Sequence, residues 1–244
     1  MASLEPRRIG DLDCHVITCE SHEQSLELTA IFCHGYGAPG DDLVPVGAQL
    51  LQQFPDLLDH LQMIFPAAPI DLSNQGLPGG RAWWPLEIDQ LTRAVQQRNF
   101  DELRKSCPPL LPAAREKLMR LIKEIGQPPH KIVLGGFSQG AMLATDVALH
   151  LPEPPACLVI WSGTLLNEEE WRSRAPCLKD VPIIQSHGRD DPILPYEAAI
   201  WLKDLFVAAE CKVNFIGFRG PHTISKDAIN AVGELIERSL GFLE

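Results

Sequence analysis

The chain is predicted to fold as one α/β domain, a mostly parallel, doubly wound sheet of about seven strands with helices on both faces. Three observations predict it. Short apolar runs such as Ile132-Val133-Leu134 and Leu158-Val159-Ile160-Trp161 lack alternation, as strands buried on both faces require. Helical stretches separate such runs through the second half, in βαβ units of about 25 to 30 residues. Of the 244 residues, 45% are apolar, enough to fill one core, and no linker or internal repeat divides residues 1–244.

In chain order, the predicted strands are 14–19, 28–34, 62–65, 131–137, 157–161, 182–187 and 212–218. A helix begins at Pro112, where Ala114, Leu118, Leu121, Ile122 and Ile125 recur at three- and four-residue spacing, and Gly126 stops it. Residues 141–150 form a second helix, ended by a Pro-rich segment, and residues 196–210 and 226–240 form two more. Residues 71–111 are an irregular, lid-like excursion rich in Gly, Pro, Gln and Trp, with a helix over 89–105. An excursion of this length commonly forms a wall of a binding site.

The charge balance narrows the partners. Lys plus Arg number 21 against 32 Asp plus Glu, a net charge of −11. Such a chain repels phosphate backbones unless its basic residues cluster, so nucleic acid is not an expected partner. Seven cysteines, an odd number with no CxxC pair, predict reduced thiols rather than a disulfide scaffold, and no metal site. Cys33 and Cys157 fall on predicted strands as core thiols. The first residues lack an apolar run of signal-peptide length, and nothing downstream approaches a membrane span, so a cytoplasmic location is expected.

Gly136-Phe137-Ser138-Gln139-Gly140 carries the chemistry. It matches G-x-S-x-G, in which a strand turns so sharply into a helix that the Ser backbone is strained and small residues must flank it at two positions' distance. A predicted strand precedes the motif and a predicted helix comes after it. A Ser hydroxyl needs a base oriented by a third group, and the elbow order of Ser, acid, His places the acid after a later strand and the His after the last. Asp190 and Asp191 lie on the first of these loops and His222 on the second. Asp191, held extended by Pro192, is the preferred acid; Asp190 is the alternative. His187, just before the acid, is read as structural.

Acyl transfer also needs donors aimed at the oxyanion. The Gln139 amide comes just after the nucleophile, and the loop His34-Gly35-Tyr36-Gly37 after an early strand offers the Tyr36 amide, with His34 as an anchor. Gly35-Tyr36-Gly37-Ala38-Pro39-Gly40 also matches the dinucleotide pattern G-x-G-x-x-G. Pro39 removes a phosphate donor and the next strand ends without a ribose-binding acid, which counts against a nucleotide.

Together, His34-Gly-Tyr-Gly, Arg81-Ala-Trp83-Trp84, the Ser138 elbow, His187-Gly-Arg-Asp-Asp191-Pro and Pro221-His222 resemble the phospholipase/carboxylesterase family of small serine esterases, which includes the acyl-protein thioesterases. The resemblance runs over nearly the whole chain. It implies an α/β-hydrolase fold, Ser138 as nucleophile with Asp191 and His222, an oxyanion donor at Tyr36, and cofactor-free hydrolysis of a small acyl ester or thioester. Tyr36 stands where the thioesterases generally have Leu, and Ala141 where they have Gly. Trp83, Trp84 and Leu86, with Ile88, are candidate walls of an acyl groove; packing of the excursion on the core is the other reading for the two Trp. The competing readings are a peptidase or amidase with the same triad, and a ligand-binding protein on a hydrolase scaffold. Monomer and homodimer stay open.

Overall fold

A computed structural model describes residues 2–19, 26–86 and 101–242. Ten strands are described: β1 (Ala2–Ile9), β2 (Leu12–Cys19), β3 (Leu28–Cys33), β4 (Leu61–Pro66), β5 (Ile70–Asp71), β6 (Arg81–Ala82), β7 (Ile132–Phe137), β8 (Cys157–Trp161), β9 (Pro182–Gly188) and β10 (Lys212–Phe218). Eight of them form one sheet in the order β1-β2-β4-β3-β7-β8-β9-β10, while β5 and β6 make a separate antiparallel pair. From β4 to β10 every neighbouring pair is parallel, and β1 and β2 are added antiparallel at the edge.

The main sheet thus has eight strands where about seven were expected. The extra one, β1, is polar and largely exposed and carries Pro6. An edge strand tolerates both features, but they erase the apolar signal by which a strand is recognised.

Seven α-helices are described: α1 (Val44–Gln53), α2 (Asp101–Lys105), α3 (Leu111–Ile125), α4 (Gln139–Ala148), α5 (Glu168–Arg174), α6 (Tyr196–Ala208) and α7 (Lys226–Ser239). The four longest of the predicted second half, α3, α4, α6 and α7, lie where the periodicity puts them. Residues 89–100 of the predicted 89–105 helix, and Ile88, lie outside the described residues, and α2 covers residues 101–105 of that range. Two helices carry no clear pattern: α1 has Pro45 and Gly47 within its first turn, and α5 buries only Trp171.

Alternate strand residues feed two cores. Ile31, Leu134 and Ile160 meet Leu118, Leu121, Leu143, Val147, Trp171 and Phe206 of α3 to α6 on one face. Phe32, Val133, Val159 and Trp161 meet Leu50 of α1 and Ile229, Val232 and Ile236 of α7 on the other. Strands apolar on both sides read as continuous runs for this reason. Burying both faces leaves the carboxyl ends of the parallel strands as the place where loops can assemble a site.

Candidate active site

The β7–α4 junction is a strained elbow. Ser138 lies between them with φ 54° and ψ −119°, a left-handed backbone that costs a non-glycine residue on the order of 1–3 kcal/mol. Its amide donates to the Trp161 carbonyl of β8 at 2.8 Å, and its carbonyl accepts from the Ala141 and Met142 amides, so the strain is held from both sides. The flanking glycines reflect close approach: a Cβ on Gly140 would lie 2.0 Å from the Cys33 carbonyl oxygen and one on Gly136 2.5 Å from the same atom.

The β9–α6 loop brings Asp191 to His222 of the β10–α7 loop. His222 Nδ1 lies 2.6 Å from Asp191 Oδ2, and the Asp191 side chain is fully buried. Oδ1 accepts from the amides of Ile193 and Leu194, each at 2.9 Å. Burial by itself raises the Asp191 pKa, but hydrogen bonds from His187, His222 and the Leu194 amide outweigh it and hold the carboxyl well below the usual range. Asp190 is exposed and uses its amide to bind the Gly220 carbonyl at 3.1 Å. Of the two neighbouring acids, Asp191 and not Asp190 meets His222.

The two loops pack closely enough to exclude a side chain between them, since a Cβ on Gly188 would stand 2.3 Å from the Pro221 carbonyl oxygen. Ser162, buried at the end of β8 with φ 51°, donates from Oγ to the Thr223 carbonyl at 3.1 Å and ties down the residue after His222. The Phe137 ring, next to Ser138, lies 4.7 Å from the His222 ring.

The loop after β3 is fastened by a buried histidine. His34 donates from Nδ1 to the Gly35 carbonyl at 2.8 Å and accepts the Ala68 amide on Nε2 at 3.0 Å. Burial lowers its pKa from 6.5 to about 4, so the ring is neutral and its tautomer is set by these partners. The Gly37 amide donates to the Arg81 carbonyl and the Arg81 amide to the Ala38 carbonyl, joining the loop to β6. Among the described residues no protein acceptor takes the Tyr36 amide or the Gln139 amide, the latter at the N-terminus of α4.

A cavity of about 340 Å³ opens beside these groups, lined by Tyr36, Ser138 and Gln139 at one end. Its apolar walls include Trp84, Leu86, Met142, Leu165, Leu166 and Trp201. Trp84 and Leu86 are thus in the cavity wall. Trp83 is not. It is buried, and its Nε1 donates to the His34 carbonyl at 2.9 Å, so it packs the excursion on the core. The Gln139 side chain fixes both: its Oε1 accepts the Trp83 amide and its Nε2 donates to the Trp84 carbonyl. Sequence reasoning missed Met142, although it lies one helical turn after Ser138. It also missed Leu165, Leu166 and Trp201, which no local signal ties to the motif.

Among the described residues no group of three or more His, Cys, Asp or Glu could hold a metal ion, and no helix is long and apolar enough to cross a membrane.

The family model for Phospholipase/Carboxylesterase matches residues 12–240. The chain is 29% identical over 222 residues to acyl-protein thioesterase 1 of Mycosarcoma maydis, covering 86% of this chain and 90% of that one. It is 28% identical over 224 residues to acyl-protein thioesterase 1 of Saccharomyces cerevisiae, covering 89% and 95%. Among solved structures, esterase PE8 matches with a TM-score of 0.71 at 22% identity, over 97% of this chain and 99% of that one. Acyl-protein thioesterase 2 of Zea mays matches with a TM-score of 0.64 at 22% identity, over 93% and 98%. These likenesses place the fold among the α/β hydrolases, and the matched family model extends from β2 to the end of α7. The chain belongs to the phospholipase/carboxylesterase family and is a hydrolase.

Proposed function

We propose that Ser138, His222 and Asp191 carry the hydrolysis, with the acyl group of a small ester or thioester lying in the cavity walled by Trp84 and Leu86. The observation that carries this reading is the Asp191–His222 pair, 2.6 Å apart with the Asp191 side chain buried, on loops that converge with the strained Ser138. His222 Nε2 takes the Ser138 proton as Oγ attacks the acyl carbonyl. Asp191 holds the Nδ1 proton and stabilises the imidazolium that results. The Tyr36 and Gln139 amides receive the oxyanion, and the α4 N-terminus adds its positive dipole end. Collapse of the tetrahedral species breaks the bond to the alcohol or thiol, which leaves with the proton from His222. Water then attacks the acyl-enzyme with His222 as base, releasing the acid and restoring Ser138.

An apolar wall suits an alkyl chain, and a volume of about 340 Å³ falls at the lower end of small-molecule sites, about 300–1,000 Å³. The curated relatives named acyl-protein thioesterase 1 support including thioesters among the substrates. The cysteines form no disulfide among the described residues, which fits a reducing compartment such as the cytoplasm.

Ser138→Ala should abolish turnover of a p-nitrophenyl ester while the protein stays folded, and a fluorophosphonate should label Ser138 in the wild type alone. Turnover retained by the variant would overturn the assignment.

A further inference from the structure

His187 is fully buried at the end of β9, four residues before Asp191, and is not needed by the chemistry above. Its Nε2 lies 2.8 Å from the Leu194 carbonyl oxygen and 3.2 Å from Asp191 Oδ2. Both neighbours are acceptors, so Nε2 must carry a proton. Nδ1 has no partner among the described residues. A bare nitrogen in that position leaves one weak acceptor unmet, whereas an N–H there would leave a buried donor unmet, so the Nε2–H tautomer is selected.

We infer that His187 is a positioning residue for the reaction: its Nε2–H, shared between Asp191 and Leu194, orients the Asp191 carboxylate toward His222. This rests on the triad reading given under Proposed function. Asp191 receives four donors, the Ile193 and Leu194 amides on Oδ1 and His222 and His187 on Oδ2. Three of those four fix the carboxylate plane from its own loop and strand, leaving the His222 bond as the one that crosses to the other loop. Leu194 closes the ring, because its amide donates to Asp191 while its carbonyl accepts from His187. Ile193 and Leu194 also line the cavity, so the same ring fixes part of the substrate wall.

The other titratable and charged groups facing this pair are few. Tyr196 at the start of α6 stands edge-on to the His187 ring at 6.2 Å, and Arg189 lies over Tyr196 at 4.8 Å. Asp190 is exposed on the same loop, and β10 presents only Gly217 opposite His187. Besides the His187 and His222 rings, no charged side chain contacts Asp191 among the described residues.

Two measurements test this. In the wild type, nitrogen NMR of the histidine rings should show His187 protonated on Nε2 and bare on Nδ1; the reverse tautomer overturns the inference whether or not any variant folds. Removing a donor leaves more of the Asp191 charge to the His222 bond. In His187→Phe the acidic limb of the kcat/KM–pH profile should therefore move upward by about half a unit or more, with kcat at least tenfold lower and KM changed less. His187→Gln, whose amide can donate from the same side, should restore most of both. A folded His187→Phe with the wild-type pH profile overturns the inference, as does His187→Gln behaving like Phe. Asp191→Asn measured alongside separates the two claims: if it stays active the triad reading itself fails, and if it is inactive while His187→Phe is unaltered, only the role of His187 fails.

Discussion

Replacing Asp191 by Asn keeps the outline of the side chain and removes its charge, and the surrounding donors decide the consequence. Both carboxylate oxygens face two donors each: the Ile193 and Leu194 amides on Oδ1, the His222 and His187 rings on Oδ2. A carboxamide has one oxygen, so whichever way the substituted side chain turns, its NH2 meets two N–H groups. If the oxygen stays with the backbone amides, the NH2 faces His222 Nδ1 and drives the ring to the tautomer protonated on Nε2, which cannot take the Ser138 proton. If the carboxamide flips, His222 keeps its partner but loses the anion that stabilises the imidazolium, and two backbone donors are left opposed. The first outcome corresponds to a loss of about 10⁴ in kcat, or about 5.5 kcal/mol of barrier. The unmet donors should cost a further 1–3 kcal/mol or so in folding stability. Initial rates on a p-nitrophenyl ester give the first number and urea unfolding the second. Asp190→Asn, changed at an exposed neighbour, should stay near wild type. An Asp191→Asn enzyme with more than a tenth of wild-type kcat, or an Asp190→Asn enzyme crippled to the same degree, would refute the reasoning.

The buried side chains around the site give two further expected outcomes. His34 keeps a folded-state pKa of about 4 against 6.5 when unfolded, so between those values the unfolded chain binds a proton that the folded chain refuses. Its contribution to stability is therefore present above pH 6.5 and is lost as pH falls toward 4, by about 3 kcal/mol over the 2.5 units; urea midpoints for wild type and His34→Gln should converge across that interval, and parallel curves would contradict it. The two adjacent tryptophans should separate on an ester panel of graded acyl length: Trp84→Leu alters the length preference, whereas Trp83→Phe leaves it intact and loses about 1 kcal/mol with the bond from Nε1 to the His34 carbonyl. Identical length profiles for Trp84→Leu and wild type would remove Trp84 from the acyl wall.

Legibility in the sequence depends on how local each cause is. The Ser138 elbow is legible because the serine and its two glycines fall within five residues, although the Cys33 carbonyl that those glycines clear lies on β3. The order of acid and His is legible because parallel strands deliver successive loops to one edge of the sheet. In the sequence the preference for Asp191 over Asp190 rests on Pro192 and on the family resemblance, and the contact of Asp191 with His222 forms only once β9 and β10 lie side by side. Trp83 and Trp84 cannot be told apart by pattern because an irregular segment has no period to say which side chain faces inward. β1 is illegible because an edge strand needs no apolar face.

His187, Ser162 and Gln139 share a different cause. Each is polar, which pattern reasoning assigns to the surface, and each is buried. Each also joins segments far apart in sequence or closes a ring through a backbone group: Ser162 to Thr223, Gln139 to Trp83 and Trp84, His187 to Leu194. A buried polar side chain must find its partners, and those partners are backbone carbonyls and amides with no residue identity to read. The support of the site is therefore written in contacts to the main chain, which composition and periodicity do not record. Binary patterning fails at these positions because the fold accepts the cost of burying polarity where it fixes Asp191, His222 and the loop after β3 in place.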